Sequence, residues 1–278
     1  MNCPLCHKEM SRCGSARFYN DKGIFNTPIE YCFECDLYKR IVSPHNLNVH
    51  YEVASYTNLK NEKKFKNLRT DFFKNIVRRA KAHYNGAASP VFLDFGSAYG
   101  HLLECAREEG FKTVGIEITP HLIKYSNAKG LTVYRDLKDL KEKVDIVTML
   151  DSLYYIPEPV EFLNNIHGIL NKNGIVFLRI TNRNWLVRLK KNVLRTSDIG
   201  TILGDSIIGY SLKSISRLLE KSNFEIKEIL VSEKGKKTAT LSRYFFYNIA
   251  SAVSYILKPW LVISPGILIV AQKNESKA

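Results

Sequence analysis

Two groups of residues in this 278-residue chain have the types and spacing to do chemistry. The first is two cysteine pairs, Cys3-Pro4-Leu5-Cys6 and Cys32-Phe33-Glu34-Cys35. A C-x2-C step turns two thiolates onto one ion. Two such steps close a tetrahedral four-sulfur site with no position left for water, which is the chemistry of structural zinc. Cys13 is not needed as a ligand, and His7 and His45 are weaker donors. The second group is Asp94-Phe95-Gly96-Ser97-Ala98-Tyr99-Gly100, followed by Glu117, Asp136 and Asp151, each at the end of a mostly apolar run. Glycine at 96 and 100 lets a ligand lie against the backbone at a helix N-terminus. Glu117 follows Gly96 by 21 residues. That separation suits a carboxylate that accepts hydrogen bonds from the two ribose hydroxyls of a bound nucleoside.

These residues need elements to hold them. Val91–Phe95 reads as a buried strand and His101–Glu109 as a helix. The pattern then repeats: strand 112–118, helix 121–130, strand 131–136, strand 143–151, helix 159–174, strand 175–181 and strand 224–231. Alternating strands and helices predict a parallel sheet with helices on both faces, and ligands at the carboxyl ends of the strands. Upstream, residues 61–84 place apolar side chains at 65, 68, 72, 73, 76 and 77 with basic residues opposite, so a helix is expected there. "NGAASP" (85–90) breaks the chain before the first strand of this sheet. Cys105 falls on the helix after the glycines and is expected to be a small core residue. His167, in the middle of a helix, is expected at the surface or satisfied in the core.

Composition narrows the class. Apolar residues make up 45% of the chain, enough for a proper core, and the net charge is +14. That charge is uneven: +7 over residues 1–85, −2 over 86–181 and +9 over 182–278. Basic flanks around a neutral centre suit an anionic partner, whether a nucleotide-linked substrate, RNA or acidic lipid, or else are solvated lysine faces. "MNCPLCHKEM" has no apolar signal core, so a cytoplasmic protein with thiols or metal rather than disulfides is expected. Residues 243–271 are mostly apolar, yet Lys258, Pro259 and Pro265 interrupt them, and a membrane span needs about 20 residues. An apolar helix over 243–257 is expected, followed by a strand at "GILIVAQK". Peripheral membrane contact, aided by "RLKKNVLR" (188–195), is an alternative use of that helix.

The stretch Asp94–Gly100 lacks the middle glycine of a dinucleotide fingerprint, since Ala98 stands there. It resembles the D-x-G-x-G/A-x-G signature of class I S-adenosylmethionine-dependent methyltransferases. "LDFGSAYGHLLECAREEGFKTVGIEITP", "RDLKDL", "VDIVTMLDSLYYIPEPVEFLNNIHGILNKNGIVFLRITN" and "YSLKSISRLLEKSNFEI" fall in that family's order over residues 91 to 230. The resemblance implies a Rossmann-like seven-stranded α/β sheet with helices on both faces. A zinc ribbon (1–45) and a basic helical linker (46–88) would precede the methyltransferase domain (89–278).

The resemblance also implies roles. Gly96, Ser97 and Gly100 would carry the methionine end and ribose of S-adenosylmethionine, and Asp94 would orient their turn. Glu117 would hold the ribose hydroxyls, Asp136 the adenine amino group, and Leu137 the ring. Asp151 would face the methionine moiety or the acceptor. The ribbon with "YEVASYTN" looks like a bacterial subgroup that methylates sugars, surface polysaccharides or other small metabolites. Many relatives have Glu-His after strand four, where this chain has Tyr154-Tyr155, and a His near "GD", where it has Ser206. The candidates for acceptor chemistry are therefore Asp151, Tyr154, Tyr155 and Tyr210. A small, anionic or carbohydrate acceptor is expected, with RNA methylation and a non-catalytic cofactor-binding scaffold as alternatives.

Overall fold

A computed structural model describes residues 1–20, 23–43, 58–86, 89–182, 184–187, 204, 206–231, 241–257, 262–264 and 266–275, leaving aside the side chains of 17–20, 23–25, 241–244 and 246–247. His45, most of "YEVASYTN" and all of "RLKKNVLR" lie outside the described residues.

Strands β1 (Ser11–Asn20), β2 (Gly23–Cys32) and β3 (Leu37–Arg40) form an antiparallel meander. Helix α1 (Glu62–His83) leads into the large sheet. There follow β4 (Val91–Phe95), α2 (His101–Glu108), β5 (Lys112–Ile116), α3 (Pro120–Ala128), β6 (Val133–Tyr134), β7 (Val144–Leu150), α4 (Pro159–Ile169) and β8 (Leu170–Thr181). The chain closes with β9 (Ile208–Gly209), α5 (Leu212–Lys221), β10 (Phe224–Val231), α6 (Leu241–Leu257) and β11 (Gly266–Lys273).

The seven-stranded sheet has the order β10-β11-β8-β7-β4-β5-β6. Its strands run parallel except β11, which is antiparallel to both β8 and β10. Strand order reverses between β4 and β7, and such a reversal opens a crevice at the carboxyl ends of the strands. Period-2 alternation sends successive side chains to opposite faces, and both faces are buried. Leu93, Val147, Leu178 and Ile269 join the cluster with Leu163 of α4 and Ile215 of α5. Their neighbours Phe92, Ile146, Phe177 and Leu268 join the cluster with Ile76, Val77 and Ala80 of α1. The segment read from sequence as a basic linker thus contributes a helix that packs on this sheet.

Two expected elements differ in extent. The strand expected over 131–136 is only Val133–Tyr134, because this edge strand pairs with β5 at just Gly115↔Val133 and Ile116↔Tyr134. The helix expected over 159–174 ends at Ile169. Leu170 already pairs with Val144 of β7, so the polar turn around Asn173, whose φ is +61°, lies within β8. Helix α6 buries Ala250 and Ser254 and turns Ile249 and Ile256 outward. Among the described residues, no helix is long and apolar enough to cross a membrane.

The small sheet has a fourth strand that sequence did not reveal. β9 pairs with β3 at Tyr38↔Gly209 and Lys39↔Ile208, so the meander is completed by residues lying far downstream.

Candidate functional site

Helix α1 and the carboxyl ends of β4, β5 and β7 surround a cavity of about 1070 Å³. This is at the upper end of the roughly 300–1,000 Å³ of small-molecule and cofactor sites. Aromatic side chains from several elements line it, among them Phe65, Phe73, Phe95, Tyr154, Tyr155 and Phe162.

The glycine turn is built by close approach as well as by backbone shape. Gly96 has φ +80° and Gly100 φ +76°, values that side chains disfavour. A Cβ on Gly96 would lie 2.9 Å from Cβ of Ser152, and one on Gly100 would lie 2.4 Å from Cδ1 of Leu131. Ser97 lies between them, and its buried Oγ has no hydrogen-bond partner among the described residues. Glu117 projects from the end of β5 and is 7% exposed. Its Oε2 accepts from the amide of Ala98 at 2.9 Å and its Oε1 from that of Thr119 at 2.8 Å. Two backbone donors therefore fix the carboxylate before any ligand arrives, while each oxygen keeps a lone pair for a hydroxyl.

Asp94 is 5% exposed, and Thr148 Oγ1 donates to its Oδ1 at 2.7 Å. Burial pushes its carboxyl up to about 7, against the opposing pull of the Thr148 hydrogen bond. Asp151 sits just past β7 in the left-handed region, at φ +66°. Arg69 Nη2 donates to its Oδ2 at 3.0 Å, and Arg179 Nη1 donates to Oδ1. Burial raises this carboxyl, but the two guanidinium groups outweigh it and hold the acid below its ordinary range.

Asp136 and Leu137 line the far wall, where Asp136 Oδ1 accepts from Lys138 N at 3.1 Å and caps a short turn. Tyr154 and Tyr155 stand on the turn after β7, with ring centroids 4.7 Å apart. Tyr210 does not join them. Its hydroxyl is buried without a hydrogen-bond partner among the described residues, away from the cavity walls, and burial raises its pKa. The sequence expectation of Tyr210 as an acceptor-side residue therefore fails on placement: β9 carries it into the core. Ser206, on the same segment, is likewise buried off the cavity. Cys105 is buried in the core on α2, and His167 bonds to the Asn274 carbonyl at 3.2 Å.

Several lining residues were not foreseen. Arg69 comes from α1, between Phe65 and Phe73 at four-residue steps, so one helix stripe faces the cavity. Tyr99 donates to the Asn58 carbonyl at 2.7 Å, and His101 bonds to Glu62 at 2.6 Å, tying the start of α1 to the glycine turn.

The four paired cysteines form a second centre. Their sulfurs all lie within 4.8 Å of one another, close enough to hold a metal ion. Each knuckle ends in a left-handed residue, His7 at φ +59° and Asp36 at φ +53°, which turns the chain back beneath its sulfurs. Leu5 N donates to Cys3 Sγ at 3.4 Å. Arg217 Nη1 of α5 donates to Cys35 Sγ at 3.4 Å and to the Glu34 carbonyl at 2.9 Å.

A family model described as a methyltransferase domain matches residues 65–229. The chain belongs to the class I S-adenosylmethionine-dependent methyltransferases. The match begins within α1, so the helix carrying Arg69 is part of the methyltransferase pattern. A ubiquinone biosynthesis O-methyltransferase of Actinobacillus pleuropneumoniae serotype 7 (strain AP76) is 27% identical over 114 residues, which are 36% of this methyltransferase and 49% of that protein. One of the same name from Pseudomonas aeruginosa (strain LESB58) is 26% identical over 110 residues, 36% and 47% of the two chains. The chain thus spans about half the length of the curated relatives it matches. Among solved structures, a methyltransferase from Archaeoglobus fulgidus superposes with a TM-score of 0.50 at 18% identity, over 76% of this chain and 99% of its own. The plantazolicin methyltransferase BpumL in complex with SAH superposes at 0.53 and 14% identity, over 82% and 94%. At such identities the likeness shows the fold alone.

Proposed function

We propose that the cavity holds S-adenosylmethionine along Gly96–Gly100 and Glu117, and a small anionic acceptor between α1 and the Tyr154–Tyr155 turn. The observation that carries this is the Glu117 carboxylate, aimed into the cavity by two backbone amides beside the glycine turn. The unpartnered Ser97 hydroxyl is a further polar group that a bound ligand could satisfy. S-adenosylmethionine supplies a sulfonium methyl group, whose transfer needs alignment more than activation. Glu117 holds the ribose hydroxyls, Asp136 and Leu137 receive the adenine, and Asp94 faces the methionine amino group. Asp151 does not act as a free base. Two guanidinium groups hold its carboxylate, so it positions Arg69 at the cavity wall. That guanidinium has donors left over and is the feature that attracts an anionic acceptor.

His101 is bonded to Glu62, and two guanidinium groups hold Asp151. The cavity therefore suits an acceptor that ionises by itself near neutrality better than it suits a neutral sugar hydroxyl, which needs a strong base. We also assign zinc to Cys3, Cys6, Cys32 and Cys35, where four thiolates leave no open position and the metal is structural.

Calorimetric titration tests the cofactor assignment. S-adenosylmethionine or its demethylated product should bind and NAD should not; saturable NAD binding at this site would overturn it. The Asp94 carboxyl, raised to about 7, adds a pH signature. An ammonium ligand prefers the ionised acid, so affinity should strengthen as pH rises through about 7 and weaken below it. Asp94→Asn should flatten that dependence. An unchanged slope in the variant would remove Asp94 from the amino-group role.

A further inference from the structure

The small sheet is joined to the large domain by backbone, and the joint leads to the cavity. β9 is the shared element. On one side it pairs with β3, which follows the Cys32–Cys35 knuckle after a single residue. On the other side, Ile207 N donates to the Tyr154 carbonyl at 3.0 Å, and Tyr154 lines the cavity.

Arg40, the last residue of β3, is 2% exposed. Burying a guanidinium is costly unless its donors are satisfied. Here they reach both sides of the joint. Nη1 donates to Thr27 Oγ1 at 2.8 Å and to the Ala16 carbonyl at 3.4 Å, both in the ribbon meander. Nε donates to the Ser206 carbonyl at 3.1 Å, and Nη2 donates to that of Gly204. The Arg40 amide donates to the Ile207 carbonyl at 2.7 Å. One residue thus clamps Gly204, Ser206 and Ile207 to the ribbon, and the next hydrogen bond along is the one to Tyr154.

We propose that Arg40 is a positioning residue for the acceptor side of the cavity: through Ile207 it locks the Tyr154–Tyr155 turn onto the cysteine ribbon. The ribbon is then a structural wall of the catalytic domain and not an appendage. The cofactor side has anchors of its own, because Glu117 is held by the amide of Ala98 in the glycine turn and by that of Thr119 just past β5. The proposal rests on the assignment of the Tyr154–Tyr155 turn to the acceptor side.

Amide hydrogen exchange on the full chain tests it, with S-adenosylmethionine titrated into the same samples. In Arg40→Met, exchange should speed up by about tenfold or more at 206–210 and at 152–157, while 94–100 and 115–119 keep their protection. Arg40→Lys keeps the charge and some donors, so part of the protection should return. Cofactor affinity should stay within about twofold of wild type in both. If Arg40→Met does not fold, Ile207→Pro removes the N–H that reaches the Tyr154 carbonyl and should loosen 152–157 by itself. Unchanged exchange at 152–157 with 206–210 opened would end the joint at β9 and overturn the proposal. Equal loss of protection throughout the chain would make Arg40 a general stabiliser and also overturn it. A wild-type chain that binds no cofactor would instead sink the cofactor assignment, leaving the exchange result to be judged alone.

Discussion

Replacing both Cys32 and Cys35 by serine should leave the purified chain without bound zinc, where the wild type should carry about one equivalent, as a four-thiolate site demands. The four sulfurs already lie within 4.8 Å of one another, so little rearrangement is needed to close on an ion. Besides the metal, the ribbon is held by a small core of its own and by Cys3, Leu5, Met10 and Leu37, which pack into the core of the large domain. Its own core is Ala16, Ile29, Tyr31 and Tyr38 with Val187 against them. Structural zinc contributes on the order of 10–16 kcal/mol in isolated zinc-finger peptides, far more than so small a core supplies. Docking resists part of the loss, because Asn184 and Ser211 both donate to the Asp36 carbonyl. The expected result is therefore local: the meander melts while the seven-stranded sheet persists. A chelated wild type should show the same early transition in a thermal melt. Full zinc occupancy in the double variant would move the metal to other ligands.

Glu117→Ala should weaken S-adenosylmethionine binding by roughly 1–3 kcal/mol, the scale on which charged hydrogen bonds in buried sites are lost. At 1.4 kcal/mol per decade this is about a 5- to 150-fold rise in Kd. The side chain is 7% exposed and anchored at both oxygens, so the ligand pays no ordering cost to use it. Alanine also strands the amides of Ala98 and Thr119, and the turn itself should become less stable. Glu117→Gln separates the two effects. It keeps one acceptor oxygen and the shape, so it should retain most of the stability while losing part of the affinity. Unchanged Kd in Glu117→Ala, measured by calorimetry, would place the ribose elsewhere.

What could be read from sequence was set by how local each signal is. β4, β10 and β11 were foreseen to the residue because a short apolar or half-apolar run bounded by breakers is a local pattern. The glycine turn and Glu117 were legible for the same reason, since both belong to one βαβ step. The cysteine pairs announced themselves by spacing. β9 was not legible: two residues pair with a strand more than 160 positions earlier, and a two-residue strand has no periodicity. Tyr210 was misjudged for the same reason, since its burial follows from that pairing. Arg69 was hidden by its neighbours. On a helix rich in Lys and Arg its charge looked like one more solvated face, and only packing turns the Phe65–Arg69–Phe73 stripe inward. The lock on Asp151 needs Arg69 and Arg179 from two separate elements, and no local pattern records that meeting.

The most direct measurement is methyl transfer itself. Radiolabelled S-adenosylmethionine should be incubated with the purified chain and, separately, with total RNA and with a small-molecule and polysaccharide extract, at several salt concentrations. The account predicts label in a small acidic metabolite, with a shallow salt dependence, and label greatly reduced with Glu117→Ala. Many phosphate contacts would give a steep logarithmic salt slope. Label found only in RNA with such a slope, or no label in any pool while cofactor binds, would contradict it.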